Sequence, residues 1–230
     1  MATIYAGTSG FSYPSWRGDF YPRGLAPGSM LAHYQARLNA VELNQSFYHL
    51  PQESVLATWR DTTASEFRFC LKAPRGLTYS AAGFDKGGLA EEVGRRLSIL
   101  GQRLGPILIQ WPPSRTRDDA TLELILSRLD RAAAVEFRHP SWFDPAVYRI
   151  LGGHGAALVV TDDVKWPAAP PVDTAAFAYY RLRRQYDDAS LETWAIELAR
   201  RGGAHQEVHV YFKHEVDGPG MALRLLARLS

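Results

Sequence analysis

The chain of 230 residues is 46% hydrophobic and 22% charged, with a formal net charge of +2. That balance excludes an intrinsically disordered chain and argues against a dedicated basic coat for nucleic acid. The single cysteine, Cys70, excludes an internal disulfide and a cysteine zinc cluster, and no stretch approaches the roughly 18 apolar residues of a membrane span.

Read in chain order, short apolar runs predict strands at 4–8, 40–44, 67–72, 107–110, 135–138, 157–162, 177–182 and 208–213. Between and after them, patterns of helical period predict helices at 29–38, 54–62, 89–104, 118–129, 145–152, 191–201 and 218–229. Asp144-Pro145 offers a capping carboxylate and a proline at the first helical position. Ser54 and Ser190 are candidate caps, and Gly152-Gly153 and Gly202-Gly203 are candidate stops. The crossover at 164–174 holds Pro167, Pro170 and Pro171 and reads as loop. Met1-Ala2-Thr3-Ile4-Tyr5 lacks the basic start and apolar stretch of a signal peptide, so a cytoplasmic protein is expected.

Strands alternating with helices predict parallel pairing, and eight such units in this length predict one TIM-barrel-like (β/α)8 domain over 1–230. A doubly wound sheet is the rival fold. It lacks its fingerprint, because Gly7-Thr8-Ser9-Gly10 is not Gly-x-Gly-x-x-Gly.

A TIM barrel places its active site at the strand C-termini. Two apolar strands carry a glutamate near that end, in Val41-Glu42-Leu43-Asn44 and Val135-Glu136-Phe137-Arg138. A buried carboxylate is costly unless paired, and residues two apart share a strand face. Glu42 thus shares a face with Asn44, Glu136 with Arg138, Cys70 with Arg68 and Lys72, Arg181 with Arg183, and Tyr211 with Lys213. Candidate proton-transfer groups are Glu42, Glu136, Lys72 and Asp162. Candidate substrate contacts are Ser9, Asn44, Phe47, Tyr48, Gln110, Arg138, His139, Trp142, Arg181 and Lys213, with the cations suited to phosphate or carboxylate.

Three readings stay open. The first is an enzyme, a hydrolase or lyase, for a small anionic, phosphorylated or sugar-like substrate. The second is nucleic-acid binding, with rings stacking bases. The third is a non-catalytic sensing or interaction barrel whose charges form a structural ion-pair ladder. No cofactor is expected. A divalent metal on Glu42, Glu136, His139, Asp162, His214 and Glu215 is the weaker reading, because no His-x-x-x-His pair supports it. Cys70 reads as a buried small hydrophobe, His209 as a core histidine, and His205 as a surface residue.

Gly7-Thr8-Ser9-Gly10-Phe11-Ser12-Tyr13, Val41-Glu42-Leu43-Asn44, Ser46-Phe47-Tyr48, Phe69-Cys70-Leu71-Lys72-Ala73-Pro74-Arg75, Gln110-Trp111-Pro112-Pro113 and Glu136-Phe137-Arg138-His139-Pro140-Ser141-Trp142 resemble the YecE-like family, domain of unknown function seventy-two. The resemblance spans nearly the whole chain. It implies a TIM-barrel-like fold and no established activity. It implies recurrent positions at Ser9, Glu42, Asn44, Lys72, Gln110, Glu136, Arg138, His139, Trp142 and Asp162. The chain departs from the family pattern at Tyr79, at Arg183-Arg184 and at Lys213-His214, which makes the second half of the site more positive.

Overall fold

A computed structural model describes residues 2–79 and 88–229. Strand β1 (Thr3–Ser9) lies between β2 (Ala40–Leu43) and β9 (Glu207–Phe212), all parallel. The ladder continues from β2 to β3 (Arg68–Leu71), and from β9 through β8 (Phe177–Leu182) to β7 (Val160–Asp162). A second parallel ladder holds β4 (Ile107–Trp111), β5 (Ala133–Phe137) and β6 (Ala157–Leu158).

Two junctions join the ladders. At one, Lys72 bridges Leu108 in parallel, and the Ala73 N–H donates to the Leu108 carbonyl at 2.8 Å. At the other, Val159 alone separates β6 from β7, so the predicted sixth strand is one run that changes ladder. The result is a TIM-barrel-like ring of eight parallel strand positions. At Gly7 a Cβ would lie 1.8 Å from the Ala40 carbonyl oxygen, so only glycine lets β1 approach β2 there.

The helices are α1 (Met30–Gln35), α2 (Glu53–Thr62), α3 (Gly76–Tyr79), α4 (Leu89–Leu97), α5 (Asp119–Leu129), α6 (Pro145–Gly153), α7 (Asp188–Gly202) and α8 (Gly218–Leu229). Asp118 and Asp144 cap α5 and α6, accepting from the Thr121 and Ala146 amides. The expected caps Ser54 and Ser190 sit inside the first turns of their helices. Asp187 is the cap of α7, accepting from the Ser190 amide, and α2 starts after Gln52 without a side-chain cap. The helix expected over 89–104 ends at Leu97 and passes into 3-10 turns, where Gly101 takes a φ of 57°. No element spans 164–174, as the prolines predicted.

Alternation along each strand divides two cores. Outward residues such as Val41, Phe69, Ile109, Val135 and Val210 pack against Leu56, Leu122, Leu151, Leu198 and Leu225 of the helices. Inward residues Tyr5, Ala40, Cys70, Leu108, Ala134, Val159, Tyr179 and Tyr211 form a separate buried cluster that plugs the lumen. His205 corrects its surface expectation. It is buried, with Nδ1 against the Arg201 carbonyl at 2.9 Å and Nε2 near Asp173.

Candidate functional site

The strand register sets the site. Ser9 stands beside Glu42 on β1 and β2, Gln110 beside Glu136 on β4 and β5, and Arg181 beside Thr161 and Tyr211 on β8 and its neighbours. The same inward parity that fills the lower lumen with rings therefore delivers charge one layer higher.

Arg181 is the centre of that layer. Its Nε donates to Glu42 Oε2 at 2.9 Å and its Nη2 to Glu42 Oε1 at 2.7 Å, a two-pronged grip on one carboxylate. Its Nη1 donates to Glu136 Oε2, so one guanidinium ties together two strands on opposite ladders. Glu42 also accepts from Ser9 Oγ at 2.6 Å, Asn44 Nδ2 at 3.1 Å and Tyr179 Oη at 3.0 Å. Glu136 accepts from Arg138 Nε at 2.7 Å. Glu42, Glu136 and Arg181 are 0%, 1% and 2% exposed, so each charge persists only through its partners.

The electrostatics follow from this pairing. Burial alone pushes the Glu42 carboxyl up, but the Arg181 charge and hydrogen bonds overcome it and hold the group below its ordinary range. For Glu136, burial is likewise overcome, by Arg181 and then Arg138, and the carboxyl is held down at about 2. The Arg181 guanidinium resists burial through the two glutamates and is held above its ordinary value.

Lys72 is placed differently. Its Nζ donates to Gln110 Oε1 at 2.9 Å and lies 3.8 Å from the centre of the Phe47 ring. Gln110 Nε2 donates in turn to Tyr79 Oη at 3.2 Å. Lys72 takes part in no ion pair among the described residues. Burial first, and the Arg181 charge second, pull its ammonium down to about 7.

Towards solvent the mouth is ringed by Arg138, Arg183 and Lys213. Arg183 Nε meets Asp163 Oδ2 at 2.8 Å. Trp166, from the loop after β7, covers Arg138 with ring centre and guanidinium carbon 4.5 Å apart. Burial and then Arg181 lower Arg183, while burial and then Arg183 lower Lys213. Among the described residues, five cations therefore share the mouth with three carboxylates, Glu42, Glu136 and Asp163.

Beside this mouth a cavity of about 680 Å³ runs from Ser9, Asn44 and Ser46 to an apolar end at Tyr48, Pro51, Val55 and Trp59. Ser9 and Asn44 both bond Glu42, so the cavity's polar end touches the charge network. Tyr48 is 66% exposed on its rim.

A scan of the sequence against family models matches residues 5–230 to "Protein of unknown function DUF72". The chain belongs to this family. The protein YecE of Escherichia coli K12 is 31% identical over 176 residues, covering 73% of this chain and 62% of that protein. YunF of Bacillus subtilis is 28% identical over 63% of this chain and 54% of its own length. The match thus spans about three-fifths of the curated relatives' length. A crystal structure of a DUF72 protein from Thermotoga maritima superposes with a TM-score of 0.88 at 28% identity, covering 99% of both chains. A DUF72 protein from Enterococcus faecalis gives 0.81 at 18% identity, covering 100% of this chain and 98% of its own.

In this DUF72 chain the remaining sequence candidates fall outside the Arg181 network. The Asp162 carboxylate accepts from Tyr186 Oη at 2.8 Å and pairs with Arg184 Nε at 2.7 Å, while the next residue, Asp163, reaches the mouth. His139 Nδ1 caps a 3-10 turn by accepting from the Ser141 amide. Trp142 is fully buried, stacked on Phe137 at 4.5 Å, with its indole N–H donating to the Arg115 carbonyl. Asp163 and Tyr179 are absent from the sequence-derived set, and Arg183 enters it only through the face it shares with Arg181. Parity two residues beyond Thr161 and either side of Arg181 was the signal that marks them. Tyr79 contacts Gln110, Arg183 pairs with Asp163, and the Lys213 ammonium feels the Arg183 and Arg181 charges, so all three residues reach the mouth. Among the described residues no group of three or more His, Cys, Asp or Glu side chains converges as a metal site, and no helix is long and apolar enough to cross a membrane.

Proposed function

We propose that the mouth binds a small anionic molecule and that the protein is an enzyme acting on it. The observation that carries this reading is the convergence of Lys72, Arg138, Arg183 and Lys213 around a carboxylate pair already committed to Arg181. Arg181 and Arg138 together balance Glu42 and Glu136, and Arg183 balances Asp163. The outer cations, with Lys72 and Lys213 free of ion pairs among the described residues, then supply a net attraction for phosphate or carboxylate.

The pairing redistributes the roles expected of these residues. Arg181 is consumed in holding the two glutamates, so it serves as the strut of the site and leaves anion contact to Arg138, Arg183 and Lys213. A carboxylate held at about 2 is a weak base at neutral pH, whereas an amine at about 7 is well matched to proton transfer. Lys72 takes that role. The apolar cavity from Ser9 to Trp59 gives the rest of the molecule a place to lie. Convergence in one mouth suits a compact anion better than a polymer backbone, and the neighbouring Arg184 is paired with Asp162.

Thermal unfolding in phosphate or sulfate, against chloride at matched ionic strength, tests the proposal. Phosphate should raise the unfolding temperature, and Lys213→Ala and Arg138→Ala should each reduce that rise. No phosphate-specific rise, or an undiminished rise in both variants, would sink it.

A further inference from the structure

We propose that Lys72 is a covalent amine nucleophile, and that the substrate carries an aldehyde or ketone beside its anionic group. This deepens the small-anion reading and rests on it for the second half of the substrate.

The first argument is the choice of side chain. The chain has 26 basic residues, of which Lys72, Lys86, Lys165 and Lys213 are the lysines. Arginine serves at the other deep position of this mouth, Arg181. An arginine does not give up its proton, whereas a lysine can. A lysine set beside Arg181 in the lumen is thus, among the described residues, the one deep cation there able to act as a free amine.

The second argument is how Lys72 is held. A lysine that serves structure is normally paired when buried, and this one, 8% exposed, meets a neutral amide and a ring instead among the described residues. The Gln110 carbonyl accepts from either an ammonium or an amine, so it orients Nζ in both protonation states. Tyr79 fixes Gln110 in turn. The Phe47 face favours the ammonium and opposes its loss of a proton. Burial and the neighbouring Arg181 act the other way and leave about half of the amine free at neutral pH.

The third argument is the surroundings of the product. The Nζ lone pair attacks the carbonyl carbon and gives a carbinolamine. Its hydroxyl leaves as water, taking a proton from solvent, and a C=N iminium remains, with no change of oxidation state. The new cation replaces the ammonium charge for charge. Glu136 and Glu42 both favour the positive state of this nitrogen. The substrate's anionic group then faces Lys213 and Arg138 at the outer ring.

The experiment is reductive trapping. The protein is incubated at pH 7 with pyruvate, and separately with dihydroxyacetone phosphate, then treated with sodium borohydride and mapped by peptide mass spectrometry. Lys72 should carry at least about tenfold more adduct than any other lysine, since each unit by which an amine is lowered raises its free fraction about tenfold. Lys72→Arg should abolish the adduct, and a cooperative urea unfolding transition shows that the variant folds. Trapping at Lys72 no greater than at Lys165 with both probes would overturn the proposal; if phosphate still raises the unfolding temperature, the anion reading survives. Strong trapping at Lys72 without any phosphate response would support the amine chemistry and overturn the anion reading.

Discussion

The floor and the mouth of the lumen are built by the same strands on the same parity, yet they treat charge in opposite ways. In the floor, His209 stacks between Tyr5 at 4.9 Å and Tyr179 at 6.0 Å, and Tyr211 Oη donates to Cys70 Sγ at 3.0 Å. Burial keeps these groups neutral. It pushes the Cys70 thiol and the Tyr179 and Tyr211 phenols up and the His209 imidazole down, the latter against the pull of Glu207. In the mouth, burial is as deep at Glu42, Glu136 and Arg181, but each ion has an opposite ion in contact, so all three stay charged. Desolvation acts on both layers, and the strength of the pairing decides which way each one goes: Arg181 and its two glutamates are buried on both sides of the contact, whereas Glu207, half-buried at 3.0 Å from His209 Nε2, does not overcome burial.

The sharpest way to break this contrast is Arg181→Met, which leaves two buried carboxylates without their main partner. Urea unfolding at pH 7 should show a loss of about 3–5 kcal/mol. A loss below about 1 kcal/mol would mean that the mouth does not depend on this pairing. Next comes acid. Glu136 is held at about 2 against an ordinary 4.5. Its folded value is depressed, so its contribution is present above pH 4.5 and drains away as pH falls towards 2. The loss should be about 3 kcal/mol in a stability–pH profile and should shrink in Arg181→Met. The floor gives the smallest effect. His209 is buried neutral, with its folded value below the ordinary 6.5, so its contribution is present above that pH and fades as pH falls further. His209→Phe should flatten the profile below pH 6.5 by at most about 1.4 kcal/mol per pH unit, while leaving the loss from Glu136 below pH 4.5 in place.

Much of the site was legible as alternation. Glu42 with Asn44, Glu136 with Arg138 and Arg181 with Arg183 share faces because side chains two apart must, whatever the fold around them. Asp162 shows where that reading slipped. It was chosen because it ends a strand, whereas parity from Thr161 puts Asp163 at the mouth and leaves Asp162 to Tyr186 and Arg184. Trp142 and His139 follow a strand end in sequence, but the 3-10 turn at Pro140–Trp142 carries the indole into the outer core and turns the imidazole into a cap.

By itself the sequence determined the βα alternation, the family and the inward face of most strands, because each depends on local period and on residue order. Only the tertiary structure decided what those inward charges do. Arg181 meets Glu42 across 139 residues and Glu136 across 45. No local pattern encodes those distances. The closing of the ring sets them, and with them which carboxylates are committed to Arg181 and which buried lysine has no ion pair among the described residues.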